Sequence, residues 1–151
     1  MNKMKGLFIL AIVIGAITMA FVSGKTTEKE QNSFMQGNGI EFQSLDYEAA
    51  IIKAKTTGKL VFIDSYTEWC GPCKKMAATA FKDENVAKVF NPKFINIKIE
   101  MERSVDGPQV AKMFGVRAYP TLLFVNGDGK LVKSIVGYQT PEQLLAIGKS
   151  M

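Results

Sequence analysis

Trp69-Cys70-Gly71-Pro72-Cys73-Lys74 decides the reading of this chain, because it holds the only two cysteines among 151 residues. Two thiols separated by two residues can close into a small disulfide and open again, which makes a two-electron switch rather than a structural staple. Leu60-Val-Phe-Ile63, just ahead, is a short continuous apolar run suited to a central strand buried on both faces. After the pair, Met76, Ala77, Ala80 and Phe81 fall on one face of a helix expected from about Cys70 into Phe81. Cys70 is therefore expected in the first helical turn, where unpaired N–H groups and the dipole favour a thiolate near neutral pH. Cys73, one turn on, is expected to lie deeper and to be screened by Cys70. Gly71-Pro72 keeps the turn tight, since proline's missing donor costs nothing at an early helical position. Lys74 and Lys75 read mainly as solvated.

Working outward, Ile40-Glu41-Phe42 reads as a short edge strand. Ser44 or Asp46 can cap a helix with Tyr47, Ala50, Ile51 and Ala54 on one face, ending at Gly58. A second helical piece from Glu84 to Phe90 is expected to stop at Asn91-Pro92. From Phe94 to Glu100, Ile95, Ile97 and Ile99 alternate with other positions, which is strand periodicity. Gly107-Pro108 opens a helix expected to turn Val110, Met113 and Phe114 inward and to close at Gly115. Thr121 to Val125 and Lys130 to Val136 flank Asn126-Gly-Asp-Gly129, a hairpin signal. Thr140-Pro141-Glu142-Gln143 combines a cap, a proline at the first helical position and a capping box, ahead of Leu144, Leu145 and Ile147. The order implies an α/β fold: a central mixed sheet, parallel strands first and an antiparallel hairpin last, flanked by helices on both faces.

Composition narrows the chemistry. The hydrophobic share of 47% suits a packed core, and a net charge of +5 without a block of like charges argues against a nucleic-acid surface. The chain has no histidine, which excludes Cys-His and Ser-His pairs and imidazole ligands. Two cysteines cannot complete a structural zinc site in one chain, so no metal is expected; a site shared between subunits is the remaining metal reading. The methionines are scattered, with Met76 and Met113 at expected core positions.

Met1 to Lys5 is a short basic start, and Gly6 to Val22 is almost wholly apolar. That run is long for a signal-peptide core and short of the roughly 20 residues of a membrane-spanning helix. Val22-Ser23-Gly24 offers small residues for cleavage, so residues 1–24 read as a signal peptide or a retained membrane anchor. Residues 25–38 form a polar linker, and 39–151 the folded domain. Either way the domain is expected to be periplasmic or otherwise extracytoplasmic, touching a membrane only through residues 6–22 if uncut. The basic start stays on the cytoplasmic side.

These features together resemble the thioredoxin superfamily, and most of all exported thioredoxin-like proteins of bacteria. Residues 69–74 are that family's active-site sequence residue for residue, between a strand and a helix. Asp64, six residues before Cys70, matches the family's buried aspartate; Tyr119-Pro120-Thr121 matches its cis-proline loop, and Gly137 the glycine after its last strand. The resemblance covers roughly 41–150. It implies that Cys70 attacks a client disulfide, that Cys73 resolves the mixed disulfide, and that Asp64 takes the Cys73 proton through a water. It also implies a client-binding surface of Trp69, Gly71, Pro72, Tyr119, Pro120, Thr121 and Gly137, with Pro120 cis and the Tyr119 backbone open to an extended segment.

The resemblance implies no cofactor beyond the Cys70–Cys73 disulfide. The expected partners are disulfide-containing client proteins and a membrane protein that supplies electrons, and the chain is expected to be a monomer. Gly-Pro between the cysteines is the dipeptide of strong reductants in this superfamily. The leading reading is therefore an extracytoplasmic thiol-disulfide oxidoreductase working mainly as a protein-disulfide reductase. A net oxidase or isomerase, and a binding or chaperone module with incidental thiol chemistry, remain open.

Two departures from the family stand out. Asn96 is expected where the family has a lysine, which would leave Asp64 without a cationic partner. A carboxylate in an apolar strand is costly unless it is paired or protonated. The loop 101–109 is also long. Its charges Glu102, Arg103 and Asp106 read as a solvated connection, with partner recognition as the alternative, and Glu68 reads as a surface residue beside the site.

Overall fold

The structure, a computed structural model, describes residues 39–151. The expected export or anchor segment 1–24 and the linker 25–38 lie outside those residues. Asp46 opens the first helix, α1 (Tyr47–Thr57), by accepting the Ala49 N–H at 2.8 Å, and Gly58 closes it at φ 68°. Such a cap contributes about 1 kcal/mol. Strand β1 (Leu60–Tyr66) follows, buried from Val61 through Ser65. Then come α2 (Gly71–Ala78), a 3-10 turn (Ala80–Lys82), α3 (Glu84–Lys93) and β2 (Phe94–Glu100). The chain ends with α4 (Gly107–Phe114), the hairpin β3 (Thr121–Val125) and β4 (Leu131–Val136), and α5 (Pro141–Ser150). Thr140 and Gln143 form the expected capping box at the start of α5.

The sheet order is β2-β1-β3-β4, with β1 parallel to β2 and β3 antiparallel to both β1 and β4. Alternating side chains send two apolar sets to opposite faces. On one face Phe62, Phe94, Leu122 and Phe124 pack with Met76, Phe81, Phe90 and Leu144 from α2, the 3-10 turn, α3 and α5. On the other, Val61, Ile63, Ile95, Ile97, Leu123 and Val125 meet Ala50 and Ala54 of α1 and Val110 of α4. Helices thus cover both faces of a mixed sheet, as the sequence predicts.

Four local expectations change. Residues 40–42 are not a strand: the N–H groups of Ile40, Glu41 and the following Gln43 donate to three different places and form no ladder. Ile40 N–H donates to the Phe81 carbonyl at 2.7 Å, Glu41 N–H to the Asn91 side chain at 2.9 Å, and Gln43 N–H to the Asn96 carbonyl at 2.8 Å. The helix after the cysteines ends at Ala78, because Thr79 leaves helical dihedrals (φ −121°, ψ −84°) and a 3-10 turn takes over. α3 runs through Pro92 to Lys93 instead of stopping. Proline's φ suits the helix, and in the last turn it forfeits only one hydrogen bond. Met113, expected in the core, is 50% exposed. The inward stripe of α4 is Gly107, Val110, Ala111 and Phe114, and Met113 lies at its outer edge.

Candidate active site at the Cys70–Cys73 pair

β1 delivers the chain from the buried sheet into Thr67-Glu68-Trp69, and Cys70 becomes the N-cap of α2, one place ahead of the expected first turn. Its own N–H donates to the Thr67 carbonyl at 3.1 Å, and its Sγ accepts the Cys73 N–H at 3.1 Å. Gly71 and Pro72 are the first helical residues and are exposed beside the pair. The two sulfurs are joined, with S–S 2.00 Å and Cα atoms 5.3 Å apart. Exposure is 2% for Cys70 and 5% for Cys73, so the expected difference in depth is not present in the oxidised pair. What distinguishes the sulfurs is the backbone donor on Cys70. A thiolate there inherits that N–H and the partial positive charge of the helix start.

On the face of β1 that α2 covers, two residues beyond Phe62, Asp64 is 1% exposed, and Lys98 of β2 stands opposite it in register, Nζ 3.2 Å from Oδ2. This corrects the expectation built on Asn96: the cationic partner is present, one pleat further along the same face. Asn96 pairs in register with Phe62, and its Nδ2 donates at 3.4 Å to the Glu41 carbonyl and to Asn91 Oδ1. Apart from the ammonium, no donor among the described residues reaches either Asp64 oxygen. Burial pushes the Asp64 carboxyl above its ordinary value, and Lys98 draws it part of the way back.

Because burial outweighs the ion pair, the fold binds the Asp64 proton more tightly than the unfolded chain does. Stability from this group is fully present below its unfolded value, about 4, and is lost as pH rises through the raised folded value. Asp64→Asn should remove that loss. Chemical denaturation at pH 4 and pH 8 should give a smaller difference in the variant than in the parent; an equal difference would mean that Asp64 ionises as freely inside the fold as outside it.

At the mouth of the site Trp69 is exposed and Tyr119 half-buried, while Pro120 and Thr121, expected on the client surface, are buried. Trp69 is 64% exposed, its ring edge-to-face with Tyr119 at 5.9 Å, and its indole N–H donates to Glu102 Oε2 at 3.0 Å. Glu102 thus holds the indole, so the loop expected mainly as a solvated connection contributes a residue to the rim of the site. Nothing in the order of residues signals a bond across 33 positions. The loop is organised: the Glu100 carboxylate accepts the Glu102 N–H at 3.1 Å and also the Arg103 N–H, while Asp106 accepts the Tyr47 N–H at 2.8 Å. Burial raises the Tyr119 phenol, with Glu102 and Glu100 adding to the effect.

The Tyr119–Pro120 peptide bond is cis, and the Pro120 carbonyl accepts the Gly137 N–H at 2.8 Å. Gly137 sits at φ 94°, a conformation that suits glycine. Thr121 Oγ1 donates to the Ala118 carbonyl at 2.7 Å. Among the described residues no hydrogen bond engages the backbone of Tyr119, so its N–H and C=O are open to an extended peptide. Also among the described residues, no group of three or more carboxylates and cysteines is arranged to hold a metal ion.

A disulfide capping a helix, with a buried carboxylate on the preceding strand of a helix-covered mixed sheet, defines a thiol-disulfide redox protein. A family model described as a thioredoxin-like domain matches residues 47–151, and the chain belongs to that family. It is 35% identical over 88 residues to a thioredoxin of Alicyclobacillus acidocaldarius subsp. acidocaldarius, covering 58% of this chain and 77% of that one. A protein disulfide-isomerase of Schizosaccharomyces pombe is 31% identical over 112 residues, 73% of this chain but 29% of that longer protein. Among solved structures, a Bacteroides thetaiotaomicron protein put forward as a disulphide-isomerase aligns with TM-score 0.65 and 43% identity, covering 74% of this chain and 93% of that one.

Proposed function

We propose that this protein is an extracytoplasmic thiol-disulfide oxidoreductase that works mainly by reducing disulfides in client proteins. The observation that carries the redox step is the Cys70–Cys73 disulfide itself, with the Cys70 sulfur on a helix-start N–H and the pair 2% and 5% exposed. The reductive direction is supported by Gly71-Pro72 between the cysteines, and the location by the basic start and apolar run of residues 1–24.

In the reduced protein, the Cys70 thiolate attacks one sulfur of a client disulfide lying along Trp69 and the Tyr119 backbone. A Cys70–client disulfide forms, and the other client sulfur leaves as a thiolate that takes a proton from solvent. The Cys73 thiol then gives its proton to the Asp64 carboxylate through a water, and its sulfur attacks Cys70 Sγ. The Cys70–Cys73 disulfide forms, and the client's second sulfur leaves and is protonated. The client gains two electrons and two protons; the pair supplies both electrons and the Cys73 proton, passed on through Asp64 and water, and solvent supplies the other proton. A membrane protein carrying electrons from the cytoplasm would re-reduce the pair, and no other cofactor is needed.

Two measurements test this reading. Cys73→Ser should hold clients as mixed disulfides on Cys70, recoverable from the native host and released by dithiothreitol; trapping of none would count against client reduction. Equilibration with glutathione or dithiothreitol should place the reduction potential near about −270 mV. The isomerase reading draws on the 43%-identical Bacteroides structure. A value near about −180 mV, with unscrambling of a misoxidised substrate, would favour it, and one near about −120 mV would favour an oxidase.

A further inference from the structure

Lys98 is held by more than its carboxylate. Its Nζ lies 5.3 Å from the ring centre of Phe42, 5.0 Å from that of Tyr66 and 5.5 Å from that of Phe81. The three rings come from three parts of the chain: the lead-in segment, the last residue of β1, and the 3-10 turn after α2. Ring faces attract a cation within about 6 Å, and more strongly as water is excluded. The Lys98 side chain is 31% exposed, so its long stem has water within reach as an alternative to Asp64. Phe42 and Phe81 also pack edge-to-face on each other at 5.1 Å. The segment bearing Phe42 is pinned by the backbone bonds of Ile40 to Phe81 and of Gln43 to Asn96, at 2.7 and 2.8 Å.

We propose that Phe42, Tyr66 and Phe81 form an aromatic seat that keeps the Lys98 ammonium against Asp64, which makes them positioning residues for proton transfer from Cys73. This rests on the redox cycle above, in which Asp64 must be a carboxylate to accept that proton. Burial drives it toward the acid, and Lys98 is the cation that opposes burial. Of the charged and titratable groups, Lys98 of β2 meets Asp64 directly, Tyr66 of β1 senses its charge together with those of Glu68 and Glu100, and the proposed cycle brings Cys73 of α2 to it. The lead-in segment and the 3-10 turn contribute rings, while their charged residues Glu41 and Lys82 are exposed. A seat that loosens lets the ammonium drift into water, and Asp64 then holds its proton to higher pH.

Carboxyl-carbon NMR titration of Asp64 in the full chain, oxidised and reduced, tests the seat without any client. Lys98→Met should raise the Asp64 midpoint. Phe42→Leu and Phe81→Leu should move it in the same direction by roughly half a pH unit or more. Tyr66→Phe, which keeps the ring face, should leave it in place. In the Lys98→Met background, Phe42→Leu should add nothing. Leucine variants that melt earlier yet titrate like the parent would overturn the seat, as would an equal shift with Lys98 already gone. If Phe81→Leu does not fold, Phe42→Leu, on the partly exposed lead-in segment, carries the test alone. Because no turnover is read, failure here would leave disulfide reduction standing, whereas failure to trap clients would leave the titration result standing.

Discussion

Cys70→Ser should abolish disulfide reduction, lowering the rate of dithiothreitol-driven insulin reduction by a factor on the order of 10³ or more, as expected for loss of a nucleophile. The size follows from the division of labour between the sulfurs. Cys70 carries the helix-start N–H and follows directly on the exposed Trp69, whose ring packs on Tyr119. With serine there, Cys73 lacks that activated neighbour, and no second cysteine is left to close the cycle. Cys73→Ser should differ in kind, keeping the first attack and stopping at the mixed disulfide, which mass spectrometry detects as an adduct on Cys70. Retention of full reductase activity by the Cys70 variant would remove the basis of the mechanism. Protection of clients from aggregation that survives unchanged in that variant would instead favour a binding module.

The second large effect is on stability. Phe62→Ala should cost about 3–5 kcal/mol, a substantial part of the 5–15 kcal/mol that holds a typical domain together. Phe62 is fully buried in the middle of β1, its ring centre 4.9 Å from Phe90, 5.2 Å from Phe124, and 6.2 Å from both Phe42 and Phe81. Removing it opens a cavity that rings from α3, β3, the lead-in segment and the 3-10 turn cannot all move to fill. Asp64 lies two residues on along the same face, so the carboxylate loses its support as well. Guanidinium unfolding gives the value directly; a loss below about 1 kcal/mol would show that the ring cluster repacks without cost.

The parts of this fold that were legible in the sequence are those fixed by local chemistry. Asp46 and Gly58 bound α1, Thr140 to Gln143 box the start of α5, and the apolar runs at 60–63 and 121–125 are buried strands as read. The cysteine hexapeptide, with the strand before it and the helix after it, located the site. What escaped depends on register and on contacts distant in sequence. Whether Asn96 or Lys98 faces Asp64 is a matter of which residues pair between β1 and β2, and a single strand's pattern does not carry that. The Glu102–Trp69 bond and the ring seat of Lys98 need the assembled fold to bring them together. Ile40-Glu-Phe42 has the composition of a strand, but the donors of Ile40 and Glu41 are claimed by Phe81 and Asn91, and that of the next residue, Gln43, by Asn96. Pro92 misled as a stop because its position in the last turn of α3 leaves little for it to disrupt.

The central claim is that the start of α2 makes the Cys70 sulfur an anion near neutral pH. It is tested most directly by the pH dependence of iodoacetamide alkylation of reduced Cys70, read by mass spectrometry in the Cys73→Ser protein. The geometry predicts a half-maximal rate near neutrality, well below the value of about 8.5 for an ordinary thiol. A profile that rises only at or above that value would contradict it.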